Sequence, residues 1–300
     1  MYEQIAANQR RTIVMIALFA LLVFAVVAVI TYFTRFGVVG FVIAAVIAIG
    51  TSFASYYNSD KIALKMSRAQ PADPQTYARF HNLVEGLCIA AGLPKPRLYV
   101  IDDPAPNAFA TGRNPKHAAI AVTTGLLEKM NRVELEGVLA HELSHVKNYD
   151  TLVMTLAVTM VGVVALLSDF FLRFMFWGGG RDREDNNGGP LGAILAVFGL
   201  LLLALAPLVA SLMQMAISRR REYQADASGV LLTRYPPGLI SALEKLRSDQ
   251  TVIHSASKAT AHLWIESPLD EESGGAASKF NHMFDTHPPL EDRIKILKAM

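Results

Sequence analysis

The 300-residue chain is 52% hydrophobic and only 18% charged, with a formal net charge of +2. Its mean hydropathy of +0.31 is high for a soluble domain, and the near balance of charge argues against a nucleic-acid binder. A single cysteine, Cys88, excludes an intramolecular disulfide and suits a reducing compartment.

Residues 12–34 and 36–59 carry no charge, and each is long enough to cross a hydrocarbon core of about 30 Å as a helix. Residues 12–59 therefore read as a transmembrane hairpin. The first segment is too long for a signal-peptide core and lacks a small-residue cleavage site, so its removal is not expected. Next comes a helix, with Asp73 and Pro74 at its start and Gly92 at its stop. Its apolar stripe of Tyr77, Phe80, Val84, Leu87 and Ala91 places Cys88 in a core. Residues 97–102 and 117–123 are short, apolar and bounded by turn formers, which predicts strands, with 107–112 between them.

A second helix is predicted from Asn131, which with Glu134 forms a capping-box pattern. It carries His141-Glu142-Leu143-Ser144-His145. Positions i and i+4 share a helical face, so His141 and His145 can turn their imidazoles to one ion. Glu142 sits beside them and can accept a proton from an attacking water. A hydrolytic zinc site needs a third protein ligand and an open position. The best candidate is Glu222, in Arg-Arg-Arg-Glu-Tyr-Gln-Ala-Asp at 219–226. One turn on, Asp226 can accept the second N–H of His141 or His145 and fix its tautomer.

Between these motifs lie two more apolar segments, 151–172 and 192–217. The first carries Asp169, which Arg173 can pair at i+4; the second has Pro207 as an expected kink. Read as a second hairpin, 151–218, they divide a catalytic domain into 60–150 and 219–300. With four spans, Arg10, Arg11, Lys61, Lys65, Arg68 and Arg219 to Arg221 all fall on one side, which the positive-inside rule makes cytoplasmic. Straight helical continuation from His145 and Glu222 into these spans would set the metal within about 10 Å of the membrane surface.

Taken together, HExxH followed by ExxxD is the gluzincin pattern. With 107–112 (Asn-Ala-Phe-Ala-Thr-Gly), the run from Glu222 to Asp226, and Thr286-His287-Pro288-Pro289 with Arg293, the chain resembles the HtpX group. These are bacterial membrane-bound relatives of the prenyl-protein endopeptidases. The resemblance implies an α+β fold, mainly helical and multi-pass, with a cytoplasmic gluzincin-like zinc protease domain containing a small sheet. It implies one zinc ion per chain and endopeptidase action on misfolded or membrane proteins, within quality control under stress. Its partners would be protein substrates and the lipid bilayer, with no nucleic acid. It further implies that the strand at 107–112 is an edge that pairs with substrate backbone, with Asn107 facing the cleft. His287 would donate to the developing oxyanion, and Arg293 would tie its segment to buried acids. A membrane-bound scaffold or sensor with a structural metal is the alternative from another class. Glu142 argues against it, because a binding-only site has no use for a base beside its ligands. A prenyl-protein endopeptidase is closer in chemistry, but a short chain with four spans fits that group's larger chamber poorly.

Overall fold

The computed structural model describes residues 2–34, 37–156, 219–249, 251, 264–265 and 288–300. The second hairpin expected at 151–218, with Asp169, Arg173 and Pro207, lies outside the described residues beyond Leu156, and so does His287. What is described is mainly helical with one small mixed sheet.

Two long helices open the chain, α1 (Tyr2–Thr34) and α2 (Gly37–Met66), and they pack against one another. Among the described residues α2 is long and apolar enough to cross a membrane, with a mean hydropathy of 2.2. It leaves Val38, Ile49 and Phe53 bare, at 80%, 67% and 63% exposure. Apolar surface of that extent fits hydrocarbon better than water. α2 also runs without a break through residues 59 and 60, and its last turns bury Ala63 and Leu64 against Ile101, Phe109 and Trp264.

β1 (Gln70–Pro71) then leads to α3 (Ala78–Ala91). The expected start at Asp73 and Pro74 needs correction. The Asp73 carboxylate accepts from the Thr76 N–H at 2.7 Å and caps a turn, and the helix proper begins at Ala78. Gly92 ends it at φ 66, in the left-handed region where a side chain is strained. Cys88 is in the core, and burial pushes its thiol up to about 11, so it is no nucleophile at neutral pH.

Three strands follow, β2 (Arg97–Ile101), β3 (Ala108–Thr111) and β4 (Ala119–Thr123). The second predicted strand loses its first residues, because Pro115–His117 forms a 3-10 turn capped by Asn114. Sheet order is β1-β2-β4-β3, with β2 and β4 parallel and the outer pairs antiparallel. Both faces are buried. Leu98, Val100, Ala108, Ala110, Ile120 and Val122 join the main core, while Ile101, Phe109, Ala119 and Ala121 meet the end of α2 and Trp264. That explains strands that read as apolar runs rather than alternating ones.

A short α4 (Thr124–Lys129) precedes α5 (Arg132–Lys147). After the gap come α6 (Arg219–Thr233), α7 (Pro236–Ser248) and α8 (Leu290–Lys298). α5 is the central element. Every residue from Glu134 to Val146 except Glu136 is buried, because α3, β3, α6 and α7 surround it. The capping box expected at its start is present: Asn131 Oδ1 accepts from Glu134 N, and Glu134 Oε2 accepts from Asn131 N.

α5 does not run straight on toward the apolar segment. Its cap is Asn148, and Tyr149 takes a left-handed φ of 60 before residues 150–156 resume as helix. The assumed straight continuation thus fails at Asn148 and Tyr149. The bend turns Asp150 back toward the face of α5 that carries the histidines.

Candidate active site

α5 and α6 bring His141, His145 and Glu222 together, and one ligand atom from each lies within 4.8 Å of the others. All three side chains are buried. His141 Nε2 and His145 Nε2 are 3.1 Å apart. Glu222 Oε1 is 3.5 Å from His145 Nε2, and Oε2 is 3.6 Å from His141 Nε2. Donors about 2.0–2.1 Å from a tetrahedral zinc sit about 3.3 Å apart, which the two Nε2 atoms approach, while the Glu222 carboxylate reaches each histidine with a different oxygen.

The protonation pattern agrees. His141 Nδ1 is 2.8 Å from Asp226 Oδ1, and His145 Nδ1 is 3.2 Å from Asp150 Oδ2. Each carboxylate takes an Nδ1 proton and leaves the Nε2 lone pair facing inward. Two lone pairs and a carboxylate then converge on one buried point, an arrangement that needs a cation. The pull on protons shows this demand. Burial lowers the affinity of His141 for a proton, but Asp226 and Glu222 outweigh it and hold its pKa up at about 9, so without a metal a proton takes the Nε2 position that a cation would occupy. These residues fit a metal ion.

Arg293, on α8, closes the site from behind. Its Nε and Nη2 donate to Asp226 Oδ2 and Oδ1 at 2.9 and 2.6 Å, a two-point grip on one carboxylate. Nη1 lies 3.7 Å from Glu222 Oε2 and donates to the Ile265 carbonyl at 3.3 Å. Burial alone raises the Asp226 carboxyl, yet the Arg293 charge and the His141 hydrogen bond hold it down at about 2. Asp226 is therefore an anion throughout the neutral range and a constant acceptor for His141. Glu142 is 2% exposed and lies within electrostatic range of Arg293.

The approach of α5 and α6 depends on a glycine. A Cβ at Gly229 would meet His141 N at 3.0 Å and the Ala140 carbonyl carbon at 3.2 Å. Gly229 and Glu222 are seven positions apart and share a face of α6. A Gly229→Ala substitution should push the helices apart by a few tenths of an ångström. We expect metal affinity to fall roughly 10-fold, read by chelator competition. Stability should fall by about 1–3 kcal/mol. Gly86→Ala, in open space on α3, should leave metal affinity unchanged. Equal affinities in all three proteins would remove Gly229 from this account.

The structure thus gathers six sequence candidates: His141, Glu142, His145, Glu222, Asp226 and Arg293. Asp226 serves His141. Asp150, the partner of His145, went unread, although it stands five residues beyond His145. Asn107 is fully buried at the start of β3; its Oδ1 accepts from Ala108 N at 3.0 Å, and its N–H is held by Thr123 Oγ1 at 2.9 Å. β3 is the sheet edge that was expected, but the Ala108 carbonyl is already taken by Ile265 N at 3.0 Å.

The chain is similar to known proteins over most of its length. The model for Peptidase family M48 matches residues 74–300, which include every residue of the cluster. A protease HtpX homolog from Caldanaerobacter subterraneus subsp. tengcongensis is 46% identical over all of this chain and 98% of its own. One from Streptococcus uberis is 42% identical over the full length of both. Among solved structures, the crystal structure of S. mikatae Ste24p superposes with a TM-score of 0.52 at 18% identity, covering 99% of this chain and 67% of that one. This likeness speaks to the fold alone. With an HExxH helix, a third carboxylate and a family match over most of its length, the chain belongs to Peptidase family M48 and is a metallopeptidase of the HtpX group.

Proposed function

We propose that this protein is a membrane-bound zinc endopeptidase that cuts misfolded or membrane proteins at the cytoplasmic face, in protein quality control and stress response. The observation that carries the reading is the buried convergence of two Nε2 atoms and one carboxylate, on a helix where Glu142 directly follows the first ligand. His141, His145 and Glu222 would hold one zinc ion. Held there, the ion would supply Lewis acidity toward a scissile carbonyl and an attacking water. Glu142 takes the proton from the attacking water and delivers it to the leaving amine. Asp226 and Asp150 keep both imidazoles in the ligating tautomer. His287 would donate to the oxyanion, an assignment that rests on its place before two prolines and on the family resemblance.

Substrate would lie along β3. Residues alternate in direction along an antiparallel edge, and Ala108 faces outward to Ile265. Ala110 therefore faces outward too, and its N–H and C=O can extend a β-ladder to a peptide of any sequence. Asn107 contributes by fixing the start of that strand.

The domain reading pairs a catalytic body, 60–150 with 219–300, with hairpins at 12–59 and 151–218. α1 and the segment 151–218 would cross the bilayer beside α2. The basic residues at the ends of the spans set the catalytic body in the cytoplasm.

The full chain, purified in detergent, should degrade an unfolded membrane protein. Chelation should abolish cleavage, and zinc should restore it at one ion per chain. Cleavage that persists after complete metal removal would overturn the reading. One bound zinc with no cleavage of any unfolded protein would favour a metal-binding scaffold instead.

A further inference from the structure

Asn8 stands on the first helix, four residues before the uncharged stretch, yet it is 3% exposed and bonded to catalytic-body residues 140 and more positions away. Its Nδ2 donates to Asp150 Oδ1 at 2.7 Å and to the Asn148 carbonyl at 3.0 Å. Arg221 Nη1 donates to Asn8 Oδ1 at 3.4 Å, and Arg221 Nε lies 3.9 Å from Asp150 Oδ1. One carboxamide therefore touches the cap of the HExxH helix, the carboxylate that holds His145, and the residue beside Glu222. Both of its ends are used in the sense their chemistry allows, N–H₂ giving and C=O accepting.

The division of labour at Asp150 follows. Its two oxygens have different tasks: Oδ1 receives Asn8, and Oδ2 receives His145 Nδ1. Asp150 sits just after a left-handed residue, at a break between helices, where its direction is not set by a continuous helix. A buried amide from another element supplies what the local backbone does not.

Resting on the zinc reading above, we infer that Asn8 is a positioning residue for the metal site: α1 reaches out of the membrane and, through Asp150, sets the orientation of His145. The first helix is thus part of the machinery as well as an anchor. Groups that support metal ligands at one remove commonly change affinity by roughly 10- to 100-fold when altered.

The test is zinc affinity of the full chain in detergent micelles, measured by competition with a chromophoric chelator. Asn8→Asp keeps the shape and loses the donor; Asn8→Leu loses both polar ends. Each should bind zinc roughly 10- to 100-fold more weakly than the parent. Thr12→Val, one turn on, removes only a hydroxyl that donates to the Asn8 carbonyl of its own helix, and it should bind zinc as the parent does. Asp150→Asn should also weaken binding, and adding Asn8→Leu to it should weaken it no further, because both act on His145 through one path. Asn8→Asp also sets a second carboxylate beside Asp150, so both variants should melt below the parent even without zinc, and the double-variant comparison of zinc affinity is what separates positioning from packing. Parent-like zinc binding by both Asn8 variants would overturn the inference. So would zinc-affinity costs that add with Asp150→Asn, since these mark a role that does not pass through His145. If the parent itself takes up no zinc, or if His141→Ala and Glu222→Ala do not release it, the zinc reading fails first.

Discussion

A Glu142→Gln variant should keep its metal and lose proteolysis by about 10²- to 10⁴-fold, the range that a placed general base contributes. The change preserves volume in a site where Glu142 is only 2% exposed, so packing is undisturbed. It leaves untouched the donors that converge on the ion, namely His141 and His145 Nε2 and the Glu222 carboxylate. What it removes is the capacity to take up a proton. Metal analysis alongside turnover of an unfolded membrane protein separates the cases. Full turnover by the zinc-loaded variant would show that some other group moves the proton. Loss of zinc together with turnover would show that Glu142 helps to hold the ion, and the roles on α5 would need redrawing.

The metal cluster was legible because its spacing is local. His141 and His145 are fixed by one helical turn, and the capping box at Asn131 and Glu134 announces the helix that carries them. Glu222 and Asp226 followed the same way, from a second i, i+4 pair. The sheet was legible as strands but not as topology, since nothing local in 97–123 says that β4 inserts between β2 and β3. Asp150 was missed for a physical reason. Its role depends on the bend at Asn148 and Tyr149, and a non-glycine residue at φ 60 has no reliable signature in sequence. Helical continuity was the default assumption there, and it hid the residue that holds His145. Asn8 was less visible still, because its bonds span 140 to 213 positions and depend on how α1 packs on the catalytic body.

Arg293→Met should cost about 3–5 kcal/mol of stability and loosen the metal as well, for two separable reasons. Arg293 is fully buried, and it pairs with Asp226 through two hydrogen bonds of 2.9 and 2.6 Å. Removing it leaves the Asp226 carboxylate buried without its main counter-charge, the situation in which a broken ion pair costs most. The carboxylate then takes up a proton more readily and holds His141 Nδ1 less firmly, which weakens the ligand. Pairing Arg293→Met with Asp226→Leu should separate these effects. The double variant no longer leaves Asp226 as a buried charge without its main partner, so its zinc-free melting temperature should recover the part of the loss that this pair accounts for. Its zinc affinity should stay low, since His141 Nδ1 has lost its acceptor. Melting of zinc-free protein and chelator competition on the same samples read the two quantities independently. A double variant no more stable than Arg293→Met alone would shift the weight to the other contacts of Arg293, the Ile265 carbonyl and Glu222. Restored zinc affinity in the double variant would mean that His141 needs no carboxylate behind it, and that α5 alone sets the angle at which its imidazole meets the ion.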